Sequence, residues 1–250
     1  MRFRSALFPC LLLLIINPTF ADDPPTDVVE PPPFEAFLVI PLRIHILTAT
    51  DLPEIDCHLS GPDITRILDK VNTIWHVAGI HWGLESIVRE PAARQDDFRE
   101  GGKTATPSNL NRYRMLLPES SRKFDGLHVY YLHKFAVNGV WLGGDYALVQ
   151  ETAKLREVVG GIDEPIPRVS SHELGHALGL PHRQNTTNLL ASGTTGTKLN
   201  TKEVETARES AKKKRGTKNV SDLQDEAEKT EDKKRAMQIK GWLREISSKK

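Results

Sequence analysis

One stretch constrains this chain more than any other: positions 172 to 182 read His-Glu-Leu-Gly-His-Ala-Leu-Gly-Leu-Pro-His. Side chains four apart lie on one face of a helix, so His172 and His176 can present two imidazole nitrogens to one ion about 2.0 to 2.1 Å away. Glu173 can reach a water at that ion without entering the coordination sphere, as a general base must. Gly179 tolerates the left-handed backbone that turns the chain sharply, and three residues later His182 can return to the same ion as a third ligand. Three neutral histidines leave one position open, the arrangement of a catalytic rather than a structural zinc site. Chance places such a pattern in on the order of 10⁻⁴ of chains of this composition, so ordinary helix histidines account for it poorly. The spacing alone specifies a metal hydrolase.

The motif resembles that of the metzincin clan of zinc metallopeptidases, His-Glu-x-x-His-x-x-Gly-x-x-His followed by a methionine-containing turn. His172, His176 and His182 match the ligands, Glu173 the base and Gly179 the turn. In the clan that methionine is an apolar floor beneath the metal; at the corresponding distance Asn188-Leu-Leu-Ala-Ser-Gly193 sets Leu190 in its place, a swap that keeps hydrophobicity and roughly the volume. No tyrosine follows Leu190, which sets the astacin-like and serralysin-like branches aside for a matrixin-like or pappalysin-like one. The resemblance implies an endopeptidase acting on protein or peptide, with one catalytic Zn²⁺. It also implies that the strand before the last, Val140, Trp141 and Leu142, is the antiparallel edge on which substrate lies. No residue pattern specifies calcium. The reading from another class is a catalytically silent zinc-binding or peptide-binding module, and the presence of Glu173 favours the enzyme.

Residues 1–21 read as a secretory signal peptide: Arg2 and Arg4, an apolar run from Ala6 to Ile16, and a segment ending at Ala21. The run is too short to span a bilayer. Export to a secreted or extracytoplasmic location follows. Cleavage there removes Cys10 and leaves Cys57 alone, so no internal disulfide is expected; Cys57 reads as a bystander thiol. Residues 22–35 hold five prolines and read as an extended linker.

The 38% hydrophobic content suffices for one core of about 150 to 180 residues. The expected fold class is α+β, a metzincin-like (zincin) domain over residues 36–215: a twisted mixed sheet with one antiparallel edge strand, a backing helix and the zinc-motif helix. Strands are expected at 36–47, with Pro41 favouring an edge or a bulge, and at 80–88, 126–132, 140–144 and 146–149. The backing helix opens at Gly61-Pro62-Asp63 and runs to Gly79, Gln95 to Pro107 is a loop, Ser108 caps a short helix, and 201–214 closes the domain. His76 and His81 read as capping or packing histidines. The net charge of +1 hides −4 before Thr201 and +5 after it; no nucleic-acid partner is implied, and a monomer is expected. Residues 216–250, rich in charge with one apolar stripe from Ile239 to Ile246, are expected to form a solvated helix or to be disordered, with docking onto a membrane surface or a partner as the sharper alternative.

Overall fold

The structure is a computed structural model that describes residues 29–101 and 107–249. The signal-peptide reading and the first part of the proline-rich segment lie outside the described residues. The architecture is a mixed sheet with helices against it. Strands β1 (Leu38–Thr48), β2 (Ile80–Pro91), β3 (Leu127–Leu132), β4 (Gly139–Trp141) and β5 (Tyr146–Gln150) are ordered β2-β1-β3-β5-β4. Along this order neighbours are parallel except β4, which runs antiparallel to β5 at the edge; off it, a short sixth strand pairs antiparallel with β1. That is the expected class, a mixed sheet with one antiparallel edge strand, and the structure makes it mostly parallel.

β1 is central rather than an edge. Pro41, which has no N–H for a ladder, falls where one side of β1 changes partner. Leu38 and Val39 pair there with the short strand β6 (Lys218–Asn219), and pairing with β3 begins at Leu42. On the other side Leu42 faces Leu84 and Arg43 faces Ser86, so Glu85 of β2 is the extra residue of a bulge.

Helix α1 (Gly61–His76) starts in a reciprocal Ser60–Asp63 capping box. It buries Ile64, Ile67, Leu68, Val71, Ile74 and Trp75, the stripe its periodicity predicts. Asn72 on that face accepts from the Trp82 amide (2.8 Å) and donates to the Trp82 carbonyl (3.3 Å), pinning α1 to β2. Helices α2 (Gln95–Gly101) and α3 (Pro107–Met115) follow; α2 occupies part of the expected loop because Phe98 is buried beside Tyr113 and Leu116 in a second core. The motif helix α4 (Pro165–Ala177) packs on α1, β4 and β5, and α5 (Thr201–Ala211) opens in an Asn200–Glu203 capping box.

The tail departs most from expectation. Residues 216–249 are neither disordered nor a solvated extension: after β6 come α6 (Val220–Lys229) and α7 (Lys233–Ser248). Val220, Leu223 and Ala227 join Ile239, Trp242 and Ile246 over Phe37 and Val39 to make a third core. Arg235 fastens α7 by donating to Glu226 (2.8 Å) and to the bulge residue Glu85 (3.0 Å), with its guanidinium 5.0 Å over the Trp242 ring. Gly83 leaves room for that indole; a Cβ there would sit 3.1 Å from Trp242 Cε2. The boundary at Arg215 is therefore no structural boundary. The end of the proline-rich stretch also docks, as Pro32 lies against Gly79 and Phe34 joins the third core.

Candidate metal centre

Helix α4 ends where Gly179 adopts φ 85°. The Leu180 amide bonds back to the Gly175 carbonyl (3.0 Å) and the Gly179 amide to the His176 carbonyl (2.9 Å), which is the paired closure of a Schellman turn. The turn also aims a ligand, because the Leu180 carbonyl it presents accepts from His176 Nδ1 at 2.8 Å. The Leu189 carbonyl does the same for His172 Nδ1, also at 2.8 Å. A carbonyl can only accept, so both Nδ1 atoms carry the proton and both Nε2 atoms keep a bare lone pair.

Those two Nε2 atoms lie 3.1 Å apart, and His182 Nε2 lies 3.1 Å from that of His176. Lone pairs facing at 3.1 Å with no hydrogen between them repel. A shared cation makes the same contact favourable, and tetrahedral zinc with bonds near 2.05 Å would set such nitrogens about 3.3 Å apart. The donor set fits a zinc-type ion. Burial, with Arg168 and His176 adding, holds His172 down near pKa 3, so it stays neutral as a ligand must.

Glu173 is 5% exposed. Burial lifts its carboxyl to about 8, against the pull of the Trp141 backbone amide and of Arg168; a dication nearby favours the ionised form. Gly139 of β4 makes space for it, since a Cβ there would sit 2.9 Å from Glu173 Oε1. The cleft above these groups has a volume of about 560 Å³ and is walled by Val140, Trp141, Leu155, Val169 and Ser192. Leu142 is not part of it. Leu142 follows the end of β4 and points into the second core, 2% exposed, while its amide closes the hairpin onto the Tyr146 carbonyl (2.9 Å) and its carbonyl accepts from Arg114. Of the strand-edge residues, Val140 and Trp141 line the cleft, together with Gly139, and Leu142 does not.

Leu190 is fully buried and its Cδ1 would lie 3.3 Å from a Cβ at Gly175, so it packs against the motif helix. The loop bearing it is held by two groups that sequence reading missed. Buried Arg168 of α4 donates to the carbonyls of Gly196 (3.0 Å), Asn188 (3.4 Å) and Ala191. Buried Glu203 of α5 accepts from Arg183 (2.6 Å), the residue after His182, and from Asn188 (2.8 Å), whose Oδ1 accepts from the Leu190 amide (2.7 Å). Arg168 precedes His172 by one helical turn and Glu203 completes a capping box, but neither spacing names a metal ligand as partner.

No family model and no curated protein matches the chain. Among solved structures it is similar to archaemetzincin (amzA) from Methanopyrus kandleri, with 14% identity and a TM-score of 0.43 over 69% of this chain and 96% of that one. It is also similar to metalloproteinase-II from Bacteroides fragilis, with 15% identity and a TM-score of 0.41 over 76% of this chain and 59% of that one. A chaperone–substrate complex matches at 13% identity and a TM-score of 0.41, over 71% of this chain and 34% of that one. The molecule is thus an α+β protein with a three-histidine group able to hold a metal ion, and the chemistry of that group rests on its own geometry.

Proposed function

We propose that this protein is an exported zinc-dependent endopeptidase of metzincin type, matrixin-like or pappalysin-like, with Leu190 as the apolar floor in place of a methionine. The observation that carries the reading is the convergence of three imidazole Nε2 atoms, two with carbonyl-fixed tautomers, beside a buried carboxylate under an open strand edge. His172, His176 and His182 would hold a zinc ion, which would supply Lewis acidity toward the reacting water and carbonyl. Glu173 takes the proton of the attacking water and delivers it to the leaving amine. The cleft walls exclude bulk water around that carboxylate. Among the described residues β4 has β5 as its one neighbour in the sheet, so its other side can pair with an extended peptide through backbone hydrogen bonds. Export is supported by Arg2, Arg4 and the apolar run after them.

The test combines metal analysis with turnover on a peptide library, with and without a chelator. Wild type should hold a zinc that depends on His176 and His182 and should cleave peptides until chelated. Glu173→Gln should keep the zinc and lose at least about 10²-fold in rate, since an amide cannot accept the proton. Full zinc occupancy after His176→Ala with His182→Ala, or near-native turnover by Glu173→Gln, would end the proposal.

A further inference from the structure

A second group of ligand-type side chains lies outside the cleft. His58 belongs to the loop before α1, His133 follows β3 and Glu151 follows β5, so two of the three sit just past the C-terminal ends of adjacent parallel strands. Their donor atoms all lie within 4.8 Å of one another. The carboxylate is fixed before any ligand arrives. Glu151 Oε2 accepts from the His58 amide (2.8 Å), the Leu59 amide (3.1 Å) and Cys57 Sγ (3.3 Å). Arg89 braces the same loop by donating to the carbonyls of Cys57 (2.7 Å) and Leu59.

That leaves Oε1, and both imidazoles turn the same atom toward it: His58 Nδ1 at 2.8 Å and His133 Nδ1 at 2.6 Å. The rings stand edge to face, 5.2 Å apart between centroids. Two imidazole nitrogens from separate loops meeting one oxygen of a pinned carboxylate form an N₂O donor set. Such a set suits zinc, nickel or copper rather than calcium or magnesium, which take oxygen.

We propose that His58, His133 and Glu151 bind a second divalent transition-metal ion, distinct from the one at His172, His176 and His182. Without an ion an ionised carboxylate can only accept, so both Nδ1 atoms carry a proton and donate to Oε1. The ion displaces those two protons, the rings turn to the Nε2–H tautomer, and it takes both Nδ1 lone pairs and one Glu151 oxygen. Its remaining positions are open to water, because the His58 side chain is 68% exposed. Binding is therefore weaker and more readily exchanged than at a closed structural site. Occupation ties the loop before α1 to the strand end that carries Gln150. That side chain donates to Asn138 Oδ1 (3.0 Å) just ahead of β4, so the ion sits two residues' contacts away from the edge over the cleft.

The experiment is a titration of the chelator-stripped full chain with Zn²⁺, and separately with Ni²⁺, followed by calorimetry. Wild type should bind two ions per chain. His58→Ala with His133→Ala should bind one, at the affinity of the tighter wild-type site, and His172→Ala with His176→Ala should also bind one, the weaker. His58→Ala alone, at an exposed side chain that leaves the core untouched, should weaken the second ion at least tenfold, and circular dichroism should show native helix content. Unchanged two-ion binding in His58→Ala with His133→Ala overturns the site, as does a wild-type stoichiometry of one that vanishes only with His172→Ala and His176→Ala. A single wild-type ion that survives loss of His172 and His176 but not of His58 and His133 upholds this site while removing the proposed function.

Discussion

Arg168 places a guanidinium within 3.1 Å of the Nδ1 atom of His172, a position that repels a proton on the ring and makes no hydrogen bond to it while Nδ1 donates to Leu189. What retains it is the loop it holds. Burial brings its pKa down to about 10, so it stays charged at neutral pH, and its donors are directed at the Gly196, Asn188 and Ala191 carbonyls. Arg168→Met should leave those acceptors buried without donors and lower stability by about 3 to 5 kcal/mol, read from urea unfolding of the metal-free protein. Zinc affinity should fall at least about tenfold as well, because the Leu189 carbonyl that orients His172 rides on the same loop. A loss under about 1 kcal/mol with unchanged zinc affinity would show that the loop holds its shape unaided.

Helices α6 and α7 show how an element can be read correctly as charged and still be misplaced. Their apolar residues recur at helical spacing, 220, 223 and 227 in one and 239, 242 and 246 in the other, each stripe too narrow for a core alone. The surface that completes them, Phe37 and Val39, lies about 180 to 210 positions upstream. Ending the chain at Arg215 should therefore lower the melting temperature by well over 10 °C or abolish folding, since it uncovers that face and removes β6 from β1. Trp242→Ala isolates the packing and should cost about 3 to 5 kcal/mol. A truncated chain that melts within a few degrees of the whole protein would show that the third core adds nothing to the first two.

Across the whole molecule, acid should unfold the protein through histidines held neutral. His45 and His81 each sit near pKa 3, chiefly through burial, against an ordinary 6.5. Between those values the unfolded chain takes up protons that the folded chain refuses, so their contribution is complete above about pH 6.5 and is lost as pH falls toward 3. Glu90, 2.7 Å from His45, and Glu245, 3.5 Å from His81, are raised by burial and act in the opposite sense, reducing the slope, while at the metal centre raised Glu173 and lowered His172 oppose one another. Unfolding free energy should drop by roughly 1 to 3 kcal/mol between pH 7 and pH 5, and His81→Leu should flatten the drop. An identical urea midpoint at both pH values would mean that the two histidines accept protons within the fold.

The features legible in the chain alone are those whose geometry closes over a few residues. Helical period sets His172 and His176 on one face, a left-handed glycine brings back His182, and Gly61-Pro62-Asp63 opens the backing helix. The glycine turn between the short strands at 140–144 and 146–149 was likewise legible, though not that Leu142 would turn inward. What the tertiary structure alone decided is every pairing between distant groups: Arg168 with the Leu190 loop, Glu203 with Arg183, the tail with Phe37, and His58 with His133 and Glu151. The reason is physical. A local motif is specified by backbone geometry that repeats over 3.6 residues, whereas a buried ion, an amphipathic stripe or a loop histidine carries no mark of its partner until the sheet order brings the two together.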